Sequence, residues 1–111
     1  MVLLHPTKSR VGAFDVVAAV GEVDVASSPS LQRAIEECVG EGCRAVVDLG
    51  SVSFLDSTGL AVLVQAYNAC RDAGGELRLV VTDPNVKKVF EVTALDDVFA
   101  IYPSLADATT P

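Results

Sequence analysis

Hydrophobic and polar positions along the chain switch between a short period and a helical one, and the switches mark its elements. Val2 to Leu4 and "FDVVAAV" (Phe14 to Val20) are apolar runs of strand length. A glycine-containing turn at Arg10 to Ala13 separates them, which predicts an opening β-hairpin. "GEVDVASSPSL" then turns the chain, and Ser28 before Pro29 has the chemistry of a helix N-cap followed by proline at the first helical position. Leu31, Ala34, Ile35, Cys38 and Val39 recur at one-sided helical spacing until Gly40 and Gly42 close the helix. "RAVVDL" and "LRLVV" (Leu77 to Val81) again have strand length. Between them a helix is expected from Ser57 to Ala73, stopped by Gly74-Gly75. Asp83-Pro84 opens another helix with Val86, Val89 and Phe90 on one face, and "VFAIY" (Val98 to Tyr102) is a last strand.

Once the hairpin is past, strand and helix alternate. That order implies right-handed crossovers and a small, mixed, mostly parallel β-sheet packed by helices, an α/β fold. With 111 residues there is enough chain for one continuous core and not for two. Neither a repeat nor a linker divides it, so a single domain over residues 1–111 is expected.

The helix after residue 56 is unusually apolar. At about 100° per residue, Gln65, Asn68 and Asp72 fall on one narrow stripe, and Ser57 extrapolates to its edge. The remaining arc, which includes Val62, Ala66 and Ala69, is wider than packing on one sheet requires. It fits a helix wedged between the sheet and a neighbouring helix, or one that also meets a partner.

Composition narrows the class of function. Half of the residues are hydrophobic and 21% are charged, which excludes a disordered chain. Fifteen acidic residues against 8 basic ones leave a formal charge of -7. That balance disfavours nucleic acid and anionic membrane surfaces, both of which ask for basic patches. A protein partner with a basic surface fits better. The N-terminal apolar run is too short for a signal peptide, and no segment approaches a membrane span. Three cysteines suit a reduced, cytoplasmic protein. Cys38 and Cys70 fall in helical apolar arcs, as small buried thiols do. Cys43 is the most exposed candidate, and Cys70 lies far from the other two along the chain. Their spacing matches no metal motif, and no cofactor-binding loop is present.

Candidate chemistry concentrates in "SFLDSTGLAVLV" (Ser53 to Val64). A serine at a helix start sits beside free backbone N–H groups and the positive end of the helix dipole, where a negative group is favoured by about 0.3–2 kcal/mol. Ser57 therefore suits a phosphoryl acceptor, and Gly59 leaves the backbone open to close approach. An ordinary N-cap has the same composition, and on spacing alone the cap is the stronger reading. A serine nucleophile is disfavoured: His5 is the only histidine, and the Gly-x-Ser-x-Gly elbow is missing. No catalytic residue is assigned, and no enzyme is expected.

The segment "VVDLGSVSFLDSTGLAVLV" resembles the signature of bacterial anti-sigma factor antagonists, the STAS domain family. "GEVD" (Gly21 to Asp24) is similar to the family's turn before the first helix, and "GGELRLVVTDPNVKKVFEVTALDDVFAIY" to its later strand, helix and closing strand. The resemblance implies partner switching in transcriptional and stress control. Ser57 would be the phosphoacceptor, with Thr58 as helix-start structure and Asp24, Asp56 and Gly59 as the acceptor's surroundings. The partner would be an anti-sigma factor that is itself a serine kinase: it is captured by the unphosphorylated antagonist, which frees a sigma factor, and is released on phosphorylation. A serine phosphatase would reset the switch. Asp24 and Asp56 could orient the hydroxyl and the partner's basic groups, or simply form turn and cap. The alternative function within the same fold is a constitutive adaptor or scaffold subunit in a stress-signalling or lipid-transport complex.

Overall fold

The computed structural model describes residues 5–111. The expected strand at Val2 to Leu4 lies outside them. The described chain opens instead with β1 (Thr7–Val11), antiparallel to β2 (Phe14–Val23). Arg10 and Val11, expected in the turn, belong to the strand. All five β1 side chains are exposed. As an edge strand it is held by backbone pairing, so it carries no apolar alternation to betray it. Lys8 forms an ion pair with Glu37, just past α1 (Ser28–Glu36), and ties the edge to the helix layer.

The remaining elements follow in the expected order: β3 (Arg44–Leu55), α2 (Ser57–Asp72), β4 (Glu76–Val80), α3 (Pro84–Val92), β5 (Ala100–Tyr102) and a short α4 (Leu105–Ala108). The sheet runs β1-β2-β3-β4-β5, with every pair after the first parallel. Two strands are longer than their apolar runs suggest: β2 continues through Gly21–Val23, and β3 through Gly50–Leu55. Their shared ladder shifts register between Ala18 and Val20 and again between Gly21 and Glu22. Such irregularities break the period-two pattern while the strands remain paired. At the start of α1 the N-cap position is Ser27, not Ser28, and its hydroxyl makes no cap bond. That hydroxyl donates to Glu22 O at 2.9 Å and accepts from Asp24 N at 2.9 Å, so it serves the turn rather than the helix.

The core lies between one sheet face and α1, α2 and α3. β3, paired on both sides, contributes Val47 and Leu49, and α2 contributes Leu63, all fully buried. On the opposite face Phe14, Val16, Val46 and Val80 pack with Ala108 of α4. Four helical residues would not hold there alone. Arg78 donates to Ala108 O (3.1 Å) and Thr110 O (2.6 Å), and its guanidinium stacks 4.6 Å from the Phe14 ring centre.

The wide apolar arc of α2 is explained by neighbours on two flanks. Val62 and Ala66 are buried beside Ile35 of α1, while Ala69 stays exposed at the groove's edge. Tyr67 meets Phe99 edge-on at 5.3 Å. The helix is wedged between the sheet and α1, which accounts for most of the arc without a partner.

Candidate functional site

The carboxyl ends of β2 and β3 lie side by side, with Val23 paired to Leu55. The next residue in each strand is an aspartate, so Asp24 and Asp56 emerge together, and Asp56 N donates to Val23 O at 3.1 Å. Each carboxylate then folds the following residues around itself. Asp24 Oδ1 accepts from Ala26 N (3.0 Å) and Ser27 N (3.1 Å). Asp56 Oδ1 accepts from Thr58 N (3.0 Å), Gly59 N (3.0 Å) and Thr58 Oγ1 (2.6 Å).

The same pattern is thus written at both strand ends: one carboxylate oxygen binds the N–H groups two and three residues onward, and Asp83 repeats it at the start of α3 with Asn85 N (2.8 Å) and Val86 N (3.3 Å). In each turn the residue that is skipped points outward. In the first turn that residue is Val25, 71% exposed. In the second it is Ser57, exposed, with its hydroxyl outside the hydrogen bonds that build the turn.

The cap of α2 is therefore Asp56, with extended backbone (φ -96°, ψ -176°), and Ser57 is the first helical residue. The reading of Ser57 as an ordinary N-cap is corrected by this geometry. Aspartate and serine are both strong caps, and here the ionised one is used, because charged acceptors form the stronger bonds. Thr58 differs from its neighbour in that its hydroxyl is committed to Asp56. The Thr58 hydroxyl bond holds the Asp56 carboxyl below its ordinary value, against partial burial, and the N–H groups of Gly59, Thr58 and Val25 act in the same direction.

Gly59 has a different role from the one expected. It is buried, and a Cβ there would lie 2.6 Å from Leu55 Cδ1 and 2.7 Å from Val23 Cγ1. Close approach does occur at this glycine, but it is made by the chain's own strand ends. The absent side chain lets the first turn of α2 settle onto β2 and β3, which puts Ser57 at the rim.

Two apolar residues at this end were not singled out from the sequence. Phe54, 48% exposed and opposite Glu22 in the ladder, and Val25 are apolar surface at the carboxyl ends of β2 and β3. The signal for Phe54 was present: it precedes Leu55, which is buried, and neighbouring strand residues face opposite ways. His5 is exposed and precedes β1.

A STAS domain family model matches residues 6–108. The chain belongs to the STAS domain family. Among its relatives is the anti-sigma-B factor antagonist of Listeria monocytogenes, 37% identical over 89 residues, which cover 79% of this chain and 77% of that one. The crystal structure of an anti-sigma factor antagonist from Mycobacterium paratuberculosis superposes with a TM-score of 0.86 at 31% identity, covering 95% of this chain and 90% of that one. The Bacillus cell fate determinant SpoIIAA in its phosphorylated form shares the fold, with a TM-score of 0.71 at 19% identity over 93% of this chain and 95% of that one. This STAS domain is thus similar to regulatory binding proteins named as antagonists of anti-sigma factors. No described helix is long and apolar enough to cross a membrane.

Proposed function

We propose that this protein is an anti-sigma factor antagonist, acting in the cytoplasm as one STAS domain, whose hold on its partner is set by phosphorylation of Ser57. The observation that carries the reading is the contrast between adjacent hydroxyls: Thr58 is bound to Asp56 at 2.6 Å, and Ser57 stands exposed at the N-terminus of the helix. The names of the relatives support the partner class. In this reading the unphosphorylated protein captures an anti-sigma factor, and so frees a sigma factor. The anti-sigma factor is itself the serine kinase, and a serine phosphatase restores the captured state.

The physics of release is simple. A phosphate adds about -1.5 to -2 charge to a chain already at -7. The dipole of α2 favours it locally by about 0.3–2 kcal/mol, equally in the free and bound protein, while the N–H groups of Thr58 and Gly59 stay with the Asp56 carboxylate. Against a closely fitted partner face, flanked by Phe54 and Val25, it must also lose water, which costs several kcal/mol when no cation meets it. Interface disruption dominates, and the expected loss of affinity is a hundredfold or more. Asp24 and Asp56 fix the two turns and with them the position of Ser57.

The test is co-purification of anti-sigma factors from the native cells on wild-type protein, Ser57→Ala and Ser57→Glu, with and without ATP and Mg²⁺. The expected result is capture by wild type and Ser57→Ala, release of wild type alone on adding ATP, and failure of Ser57→Glu to bind. Capture that is indifferent to ATP and to Ser57→Glu would leave the family intact and favour a constitutive adaptor.

A further inference from the structure

The end of the sheet away from Ser57 gathers all three thiols of the chain, and the switch proposed above uses none of them. Cys43 immediately precedes β3, Cys70 lies in the last turns of α2, and Cys38 follows α1. Cys70, remote from Cys43 along the chain, is brought to it by the turn at residues 73–76. Gly75 N donates to Cys70 O at 2.8 Å, and the next N–H, of Glu76, donates to Cys43 O at 2.8 Å. Gly42 N donates to Ala73 O, also at 2.8 Å. Consecutive amides of one turn therefore hold the carbonyls of both cysteines.

The packing there leaves no slack. A Cβ on Gly75 would lie 2.0 Å from Cys43 O and 2.7 Å from Cys43 N, so only glycine lets the two backbones meet. Cys43 packs against the buried cluster that contains Cys70. Cys70 is fully buried and Cys43 half-buried, so one sulfur meets solvent with the other behind it. Burial, and then the Cys43 thiol, push Cys70 up to about 12. Cys38 is placed otherwise: its S–H donates to Ala34 O at 3.6 Å, within its own helix end. Among the described residues no group of cysteine, histidine and acid side chains is disposed to hold a metal ion.

We propose that Cys43 and Cys70 form a reversible intramolecular disulfide, with Cys43 the sulfur that meets a small-molecule disulfide first. The Cys43 thiolate attacks one sulfur of the oxidant, which forms a mixed disulfide and expels the first small thiolate. Cys70 attacks the Cys43 sulfur, and its proton passes to the small thiolate that leaves. The mixed bond breaks, the second small thiolate leaves, and the Cys43–Cys70 bond closes. Two protein thiols are oxidised by two electrons, and the small disulfide is reduced to two thiols. The new bond joins the start of β3 to the last turns of α2, roughly 20 Å along the helix from Ser57.

The test uses the folded full chain and excess oxidised glutathione, followed by acid quenching, alkylation and peptide mapping without reductant. The expected result is loss of two of the three free thiols, a linked Cys43–Cys70 peptide, and alkylated Cys38, all reversed by dithiothreitol. Cys70→Ser should stop at a stable glutathione adduct on Cys43, while Cys43→Ser should leave Cys70 and Cys38 free. Persistent glutathione on Cys43 in the wild type, a bond to Cys38, a disulfide between two chains, or three unreacted thiols would each overturn the proposal.

Discussion

The turns after β2 and β3 share one architecture and differ in what they display. In both, an aspartate one residue past a paired strand end binds the amides two and three residues later, and the residue between faces solvent. After β2 that residue is Val25; after β3 it is Ser57. The supporting hydroxyls are spent in both places: Ser27 on Glu22 O and Thr58 on Asp56. What the turns teach is a division of labour. Polar atoms that build the scaffold are unavailable for chemistry, and function falls to the side chain the scaffold leaves out. One turn presents apolar contact surface and the other a hydroxyl that can change charge.

The largest effect should come from reversing the one feature that separates the turns. Ser57→Glu, or stoichiometric phosphorylation, should weaken anti-sigma factor binding a hundredfold or more, equivalent to about 2.7 kcal/mol or above, as read by calorimetry with wild type as reference. Thr58→Val tests the scaffold instead. It should leave ATP-driven release intact and lower stability by about 0.5–1.5 kcal/mol, the net worth of one hydrogen bond, measured by urea unfolding.

Gly59→Ala should cost about 1–3 kcal/mol by overpacking against Leu55 and Val23. The corresponding position in the other turn, Ser27, already carries a side chain and offers no such test. Asp56→Ala should cost about 0.5–2 kcal/mol as a lost cap. That difference should also depend on pH. The Asp56 carboxyl sits below its ordinary value in the folded chain, so its contribution is fully present above about pH 4 and is lost as pH falls through the lowered value. Wild type and Asp56→Ala should therefore converge in strong acid; an undiminished gap there would contradict the charged-cap account. The smallest effect is Val25→Ser, expected within about 0.5 kcal/mol in stability because the side chain is solvent-exposed, with its cost appearing in partner affinity.

How much of this was legible in the sequence depended on burial. β3, β4 and the three longer helices bury one face, so their apolar spacing reports them. β1 buries nothing, and neither its polar side chains nor any alternation marks it. The extensions of β2 and β3 were hidden by shifts of register at Val20 and Glu22. At the site, "DST" reads as a helix start, but three adjacent cap-competent residues cannot be ranked by spacing. The ranking is made by the extended backbone of Asp56. Gly59 was legible as a close approach but not as to what approaches it, because Val23 lies on another strand. The meeting of Cys43 with Cys70 likewise depends on a crossover that sequence distance conceals.

The most direct measurement is phosphopeptide mapping of the protein isolated from its own cells in growth and in stress, with Ser57→Ala as control. Occupancy confined to Ser57, changing with condition and absent from the control, is the predicted result. Phosphate on Thr58, or an unmodified Ser57 in every condition, would contradict the account.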